Sequence, residues 1–174
     1  MTRLRLLIVA LDNWYGLARL PRSLRRAGFE VGLLSPPGIL VAQSCDVDQR
    51  FLLAADGSPR ALERPVWQAI EAFAPDIIVP GDERSVRLLN LMATSGSMPA
   101  SPNIKQTLRR SLPSQPGLVS RADMMAIAAD TGLPCPDHAV ARSLGDAMRF
   151  AQRVGWPVYL KRDNTAGGSG VRLC

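Results

Sequence analysis

The stretch Trp156–Cys174, WPVYLKRDNTAGGSGVRLC, places a lysine at the end of an apolar run, then a glycine-rich segment, then a second apolar run. The pattern predicts a strand ending at Lys161, a loop, and a second strand over residues 171–174. Glycine lets backbone N–H groups approach an anion closely, and a lysine before such a loop can reach the same anion. The residues alone fit either a phosphate-covering loop or an ordinary glycine hairpin with Lys161 turned to solvent.

The order of these residues excludes two common phosphate loops. In a Walker loop the Lys and Ser/Thr directly follow the last glycine and open a helix. Here Lys161 precedes the glycines, and the VRLC that follows them has no helical pattern. A dinucleotide fingerprint also opens a helix and needs G-x-G-x-x-G, whereas the glycines here are Gly167, Gly168 and Gly170. The pattern that remains is strand, turn, strand.

The first part of the chain alternates short apolar runs with amphipathic stretches. Strands are predicted at residues 3–10, 29–35, 49–54 and 75–81, and helices are predicted after the first, third and fourth of them. This alternation predicts an α/β domain with a parallel sheet flanked by helices. Ligands bind beyond the carboxyl ends of such strands, where Asp12 and Glu83 lie. A helix N-terminus stabilised by negative charge is the alternative explanation for Glu83.

A Pro- and Ser-rich segment at residues 97–117 predicts a domain boundary, giving domains 1–116 and 117–174. After it, Ser120 is a predicted helix N-cap, Gly132 a stop, and a short strand containing His138 should follow. A further helix over residues 143–155 should bury a stripe of apolar residues: Leu144, Met148, Phe150, Ala151 and Val154.

Composition narrows the function classes. The 174 residues contain no apolar run of the ~20 residues that a membrane span needs. The three cysteines are widely spaced and form neither a metal pattern nor a disulfide framework, which indicates a reducing cytoplasm.

The net charge of +6 comes from scattered residues, mostly arginines, so a nucleic-acid partner is not predicted. Lysine is rare in this arginine-rich chain, and the two side chains are not interchangeable where a compact charge is needed.

The second domain resembles the start of an ATP-grasp domain. The elements that carry the resemblance occur in order: Gly132-Leu133-Pro134-Cys135-Pro136, Gly155-Trp156-Pro157, Val158-Tyr159-Leu160-Lys161, and Gly167-Gly168-Ser169-Gly170-Val171. The preceding α/β segment resembles the Rossmann-like pre-ATP-grasp domain that such enzymes carry upstream. The resemblance implies that the chain is an incomplete ATP-grasp protein, similar to carbamoyl-phosphate synthase large subunits.

The resemblance also implies roles for particular residues. Lys161 is expected to bind ATP phosphates, and Arg121 to contact the nucleotide where the family usually has a lysine. The glycine-rich loop is expected to close over the phosphates, and its residues are Gly167, Gly168, Ser169 and Gly170. Glu83 and Asp12 are candidate substrate contacts, and no metal ligand is expected in this chain.

The implied function is the N-terminal portion of a cytoplasmic, ATP-dependent carboxylate–amine ligase that acts through an acyl phosphate. Its cofactors would be ATP and magnesium, with the magnesium ligands outside this chain. Its partners would be a small-molecule carboxylate and either a second copy of the chain or a missing C-terminal half. The alternative is a non-catalytic small-molecule-binding or association module of α/β type.

Overall fold

A computed structural model of the chain describes residues 3–53, 58–94, 102–112, 120–163, 165 and 168–174. The chain divides into two compact units, Met1–Pro116 (unit 1) and Gly117–Cys174 (unit 2). Among the described residues, no helix is long and apolar enough to cross a membrane.

Unit 1 is built on a four-stranded parallel sheet. Its strands are β1 (Arg5–Val9), β2 (Glu30–Ser35), β3 (Gln49–Leu52) and β4 (Ile77–Pro80), in the order β3-β2-β1-β4. The predicted α/β fold, with a Rossmann-like parallel sheet flanked by helices, is confirmed. Strands β1 and β4 are neighbours, so the segments that follow them emerge side by side at one edge of the sheet.

The two faces of the sheet are covered by different elements. Leu7 and Val9 point to a core made with the helices α2 (Pro59–Phe73), α3 (Glu83–Thr94) and α4 (Pro102–Ser111). Leu6 and Ile8 point to the opposite core, made with the 3-10 turns η1 (Leu17–Arg19) and η2 (Leu40–Gln43) and the helix α1 (Leu20–Arg26). This alternation is why β1 is apolar along nearly its whole length: both of its faces are buried.

Helix α2 shows how closely the sequence pattern describes this unit. Ser58 caps it by accepting a hydrogen bond from the backbone N–H of Ala61 at 3.4 Å. The apolar face expected from the 3.6-residue period is buried throughout; its residues are Leu62, Val66, Trp67, Ile70 and Phe73.

Unit 2 consists of two helices, α5 (Arg121–Asp130) and α6 (Leu144–Val154), and an antiparallel hairpin of β5 (Tyr159–Lys161) and β6 (Val171–Leu173). Ser120 caps α5 as predicted: its hydroxyl accepts from the Asp123 N–H at 3.1 Å and donates to the Asp123 carboxylate at 2.6 Å. Gly132 follows α5 with φ +75°, which suits the predicted stop because glycine tolerates a left-handed backbone.

One sequence-based expectation for unit 2 is wrong, and a second holds only in part. Residues 133–141, including His138, form no strand, because no strand in the described part of unit 2 pairs with them and Pro134 and Pro136 lack N–H donors. The apolar stripe predicted for α6 is buried only in part. Ala151 is buried, and Phe150 and Val154 are half-buried. Leu144 is 81% exposed and Met148 is also exposed, because the described residues place no layer over that end of the stripe.

Candidate functional site

Lys161 is the last residue of β5 and is exposed beside the glycine-rich loop. Its backbone lies opposite Val171, the first residue of β6, so the hairpin pairing fixes where the side chain starts. Within the described part of the chain, Lys161 makes no hydrogen bond or ion pair. Its ammonium group is therefore available to an external anion.

The loop between the two strands closes through backbone contacts. The N–H of Arg162 donates to the Gly170 carbonyl at 2.7 Å, and the N–H of Val171 donates to the Gly168 carbonyl at 3.0 Å. Gly168 has φ +80°, a conformation that other residues rarely adopt. A Cβ on Gly170 would overlap the Thr165 side chain. These two glycines are thus required by geometry; Ser169 is exposed in the same turn, and Gly167 lies outside the described residues.

Arg121 is brought to the base of this loop. Its guanidinium donates to the carbonyl of Arg162 at 3.2 Å and to the carbonyl of Thr165 at 2.7 Å. The Thr165 hydroxyl also donates to the Arg162 carbonyl, at 2.8 Å. Arginine carries five N–H donors, and two nitrogens of Arg121 donate to backbone carbonyls of the loop. The side chain therefore stabilises the loop and also places a positive charge beside it. Sequence reasoning assigned Arg121 to the nucleotide and missed its contacts with the loop.

At the carboxyl edge of the unit 1 sheet, the Asp82 carboxylate joins two loops. One oxygen accepts from the N–H groups of Leu11 and Asp12 at 2.6 and 3.0 Å, and the other accepts from the Ser85 N–H at 2.7 Å. The Ser85 hydroxyl in turn accepts from the Asp82 N–H at 3.0 Å. Asp82 is buried, with all these donors aimed at it. Aspartate is a preferred N-cap residue, so its position just before the amphipathic stretch of α3 is a signal that is readable in the sequence.

The two acidic candidates at this edge differ in their surroundings. Asp12 is half-buried and forms an ion pair with Arg84 at 3.0 Å. Glu83 is exposed in the first turn of α3, directly after the capping residue. The structure therefore brings Asp12, Asp82 and Arg84 together. Asp82 caps α3, and Glu83 carries its negative charge in the first turn of that helix, where the helix dipole favours it.

The indole of Trp14 and the amide of Asn13 extend this network. The Trp14 Nε1–H donates to the Gly81 carbonyl at 3.0 Å, and the Asn13 side-chain oxygen accepts from the Leu40 N–H at 2.9 Å. The loop after β1 is consequently tied to the segments that follow both β4 and β2. A loop held at three points presents its remaining polar groups in a fixed arrangement.

A cluster of metal-ligating side chains is not found among the described residues. Across the described ranges, no group of three or more His, Cys, Asp or Glu side chains is placed to hold a metal ion. Magnesium needs several oxygen ligands in near-octahedral geometry.

No protein-family model matches the chain. It is 34% identical over 47 residues to the carbamoyl phosphate synthase large chain of Streptomyces coelicolor, a match that covers 27% of this chain and 4% of that protein.

Two solved structures resemble the chain over nearly its whole length. N5-carboxyaminoimidazole synthetase from Staphylococcus aureus, complexed with ADP, matches with a TM-score of 0.67 at 14% identity, covering 99% of this chain and 42% of that one. L-amino acid ligase from Bacillus licheniformis matches with a TM-score of 0.58 at 19% identity, covering 100% and 40%. The chain thus spans about two-fifths of the length of these structures.

The chain resembles ATP-grasp proteins in its fold. This confirms the family resemblance predicted from the ordered motifs of unit 2. At these levels of identity the likeness concerns the fold, and the roles of individual residues rest on the geometry described above.

Proposed function

We propose that this chain supplies the phosphate-covering part of the ATP site of an ATP-dependent carboxylate ligase. The observation that carries the proposal is the arrangement at the hairpin: an unpaired lysine ends β5, a glycine-dependent loop follows, and Arg121 holds the base of that loop. The fold resemblance to ATP-grasp proteins supports it. The residues proposed to contact ATP are Lys161, Arg121, Gly167, Gly168, Ser169 and Gly170.

The chemistry that follows is a two-step ligation. A carboxylate oxygen of the substrate attacks the γ-phosphorus of ATP, the bond to the ADP oxygen breaks, and an acyl phosphate forms. An amine or other nucleophile then attacks the acyl carbon, and phosphate leaves with the bonding electrons. Lys161 would bind the phosphoryl oxygens and offset the negative charge that they carry.

The edge of the unit 1 sheet is proposed to contact the small-molecule substrate. The candidate contacts are Glu83, which is exposed, and Asp12. Because Asp12 is paired with Arg84, a substrate would meet these two residues as a unit. A carboxylate would be attracted to Arg84, whereas a hydrogen-bond donor would be attracted to Asp12 and Glu83.

We propose a cytoplasmic location for the protein, which fits its three free cysteines.

Isothermal titration calorimetry with ATP–Mg on the full chain tests the proposal. Lys161→Ala should weaken ATP binding roughly ten- to a hundredfold, the effect of losing a charged hydrogen bond of about 1.5–3 kcal/mol. Lys105→Ala is the matched control, because Lys105 is the chain's other lysine and lies on α4 in unit 1. Equal ATP affinity in Lys161→Ala and the unchanged protein would overturn the role of Lys161.

A second candidate, a non-catalytic association module, is favoured by a different observation. The hairpin exposes apolar side chains on both strands, and these residues are Tyr159, Leu160, Val171 and Leu173. Such side chains favour pairing with a second chain, either another copy or a separate partner. Absence of ATP–Mg binding, together with a concentration-dependent dimer in analytical ultracentrifugation, would select this candidate over the ligase.

A further inference from the structure

A cleft of unit 1 lies away from the sheet edge described above. Its volume is about 640 Å³, and it is bounded on one side by η1 and α1 and on the other by the segment around η2. Arg19, Arg22 and Arg26 line the first side, and Ser44, Cys45 and Asp46 line the second. Neither the ATP role proposed for unit 2 nor the substrate contacts proposed for Asp12 and Glu83 use this cleft.

The positive charges of the three arginines in the cleft are placed unfavourably for the stability of the fold. They are spaced three and four residues apart, so they share one face of the helical stretch, where like charges repel. Arg19 and Arg22 also lie toward the N-terminal end of α1, which the helix dipole makes unfavourable for cations. Within the described residues, none of the three has an acidic partner, whereas their neighbour Arg25 pairs with Asp48 at 3.6 Å.

The opposite wall of the cleft is held in place by contacts of its own. The Arg50 guanidinium donates to the carbonyls of Ala42 and Val47, both at 3.4 Å, and also to the carbonyl of Ser44. Arg25 donates to the Cys45 carbonyl at 3.5 Å. The wall is therefore already ordered, which lowers the entropic cost of binding a ligand against it.

We propose that this cleft binds a small anion carrying two or more phosphate groups. Guanidinium groups bind phosphate oxygens through paired hydrogen bonds. Arginines three and four residues apart on a helix have Cβ atoms about 5–6 Å apart, so adjacent pairs can converge on one phosphate and all three on a multiply charged anion. Asp46 offsets part of the charge, but three arginines against one aspartate leave the lining positive.

Cys45 provides a local reporter for the experiment. The protein has two other cysteines, so the Cys135→Ser/Cys174→Ser variant keeps a single exposed thiol in the cleft. The rate at which a neutral maleimide modifies Cys45 is measured against pyrophosphate concentration, with ionic strength held constant by chloride. Bound pyrophosphate should slow the modification, because the anion and the thiol share the cleft.

Charge reversal identifies the groups that bind. The half-protection concentration is the pyrophosphate concentration that halves the rate of Cys45 modification. In Arg22→Glu/Arg26→Glu it should rise at least about tenfold, as expected when charged hydrogen bonds are lost. The control is Arg60→Glu/Arg64→Glu, which makes the same charge change at the same spacing on exposed positions of α2. Its half-protection concentration should stay unchanged. If the reversed variant does not fold, Arg22→Gln/Arg26→Gln replaces it with the same expectation.

Three results would overturn the proposal. The first is that pyrophosphate does not slow modification of Cys45. The second is that the cleft variant and the α2 control lose protection equally, which would show that only net charge matters. The third is that duplex DNA protects Cys45 at a lower phosphate concentration than pyrophosphate does, which would assign the cleft to nucleic acid.

Discussion

The two units of this chain are ordered by different forces. Unit 1 buries apolar side chains on both faces of its sheet, and it closes the carboxyl edge of that sheet with the buried carboxylate of Asp82. Among the described residues of unit 2, Ala151 is the one buried apolar side chain. Unit 2 is instead defined by helix caps, hairpin pairing and the Arg121 contacts. Sensitivity to mutation should therefore differ sharply between the two units.

The largest effect is expected from Phe73→Ala in unit 1. Phe73 is 1% exposed, packs edge-to-face against Phe51 with ring centroids 6.2 Å apart, and fits against Gly32, where no Cβ intrudes. Removing the ring should lower the free energy of unfolding of the full chain by about 3–5 kcal/mol, measured by urea denaturation. A loss below about 1 kcal/mol would contradict the view of Phe73 as a core residue.

A smaller loss is expected from Asp82→Asn. The amide keeps the shape of the side chain, but it replaces one acceptor oxygen with a donor, which leaves buried N–H groups without an acceptor. The free energy of unfolding should fall by about 1–3 kcal/mol. Hydrogen exchange of the Leu11 and Asp12 amides should accelerate. Asp76→Asn is the control: its exposed carboxylate accepts one N–H, from Arg5 at 2.8 Å, so the loss should be smaller.

In unit 2, Ser143→Ala tests whether local contacts order the helix. The Ser143 hydroxyl accepts from the Asp146 N–H at 3.1 Å and donates to the Asp146 carboxylate at 2.8 Å. Loss of this N-cap should destabilise α6 by about 1 kcal/mol, seen as reduced helicity in circular dichroism. Unchanged helicity would show that other contacts hold the first turn.

The same variant should change the titration of Asp146. The Ser143 hydroxyl, followed by the Arg142 N–H and the charge of Arg149, lowers the pKa of Asp146 below its ordinary value. A lowered pKa stabilises the folded form above the ordinary aspartate pKa, and this contribution disappears as pH falls through the lowered value. Carbon-detected NMR of the carboxyl group should show the pKa moving upward in Ser143→Ala. A pKa that does not move would assign the shift to the other groups.

The smallest effect is expected from Leu144→Ser. Leu144 is the first residue of α6 and is largely exposed. Its replacement should change the free energy of unfolding by less than about 0.5 kcal/mol in urea denaturation. A clearly larger loss would show that this side chain is covered in solution and would weaken the contrast between the units.

The fold of unit 1 could be predicted from the sequence because the hydrophobic pattern of each segment matches the burial of that segment in the folded unit. Strand β1 is apolar and buried on both faces after Arg5, and α2 buries the stripe expected from its period. The hairpin of unit 2 was predicted for a related reason. A lysine, a glycine-rich segment and a second apolar run are typical of a strand, a turn and a strand. Gly168 has a backbone conformation that other residues rarely adopt, and a Cβ on Gly170 would overlap the Thr165 side chain.

The failures come from contacts that sequence patterns do not encode. The segment around His138 contains two prolines that weaken a strand, and a strand exists only where a partner supplies hydrogen bonds. The stripe on α6 has helical periodicity, yet periodicity states only that one face is apolar and not that it is covered. The role of Asp82 depends on β1 and β4 being neighbours, which follows from the strand order and not from the local spacing alone.

The joint acceptor role of Asp82 also sets a rule for how this scaffold can be re-engineered. The loop after β1 and the start of α3 share one carboxylate, so neither segment can be replaced without affecting the other. A loop transplanted after β1 from another protein must present two N–H groups at the positions of Leu11 and Asp12, or be moved together with the Asp82–Ser85 turn. The unit that can be exchanged between proteins of this fold is therefore the loop after β1 together with the Asp82–Ser85 turn.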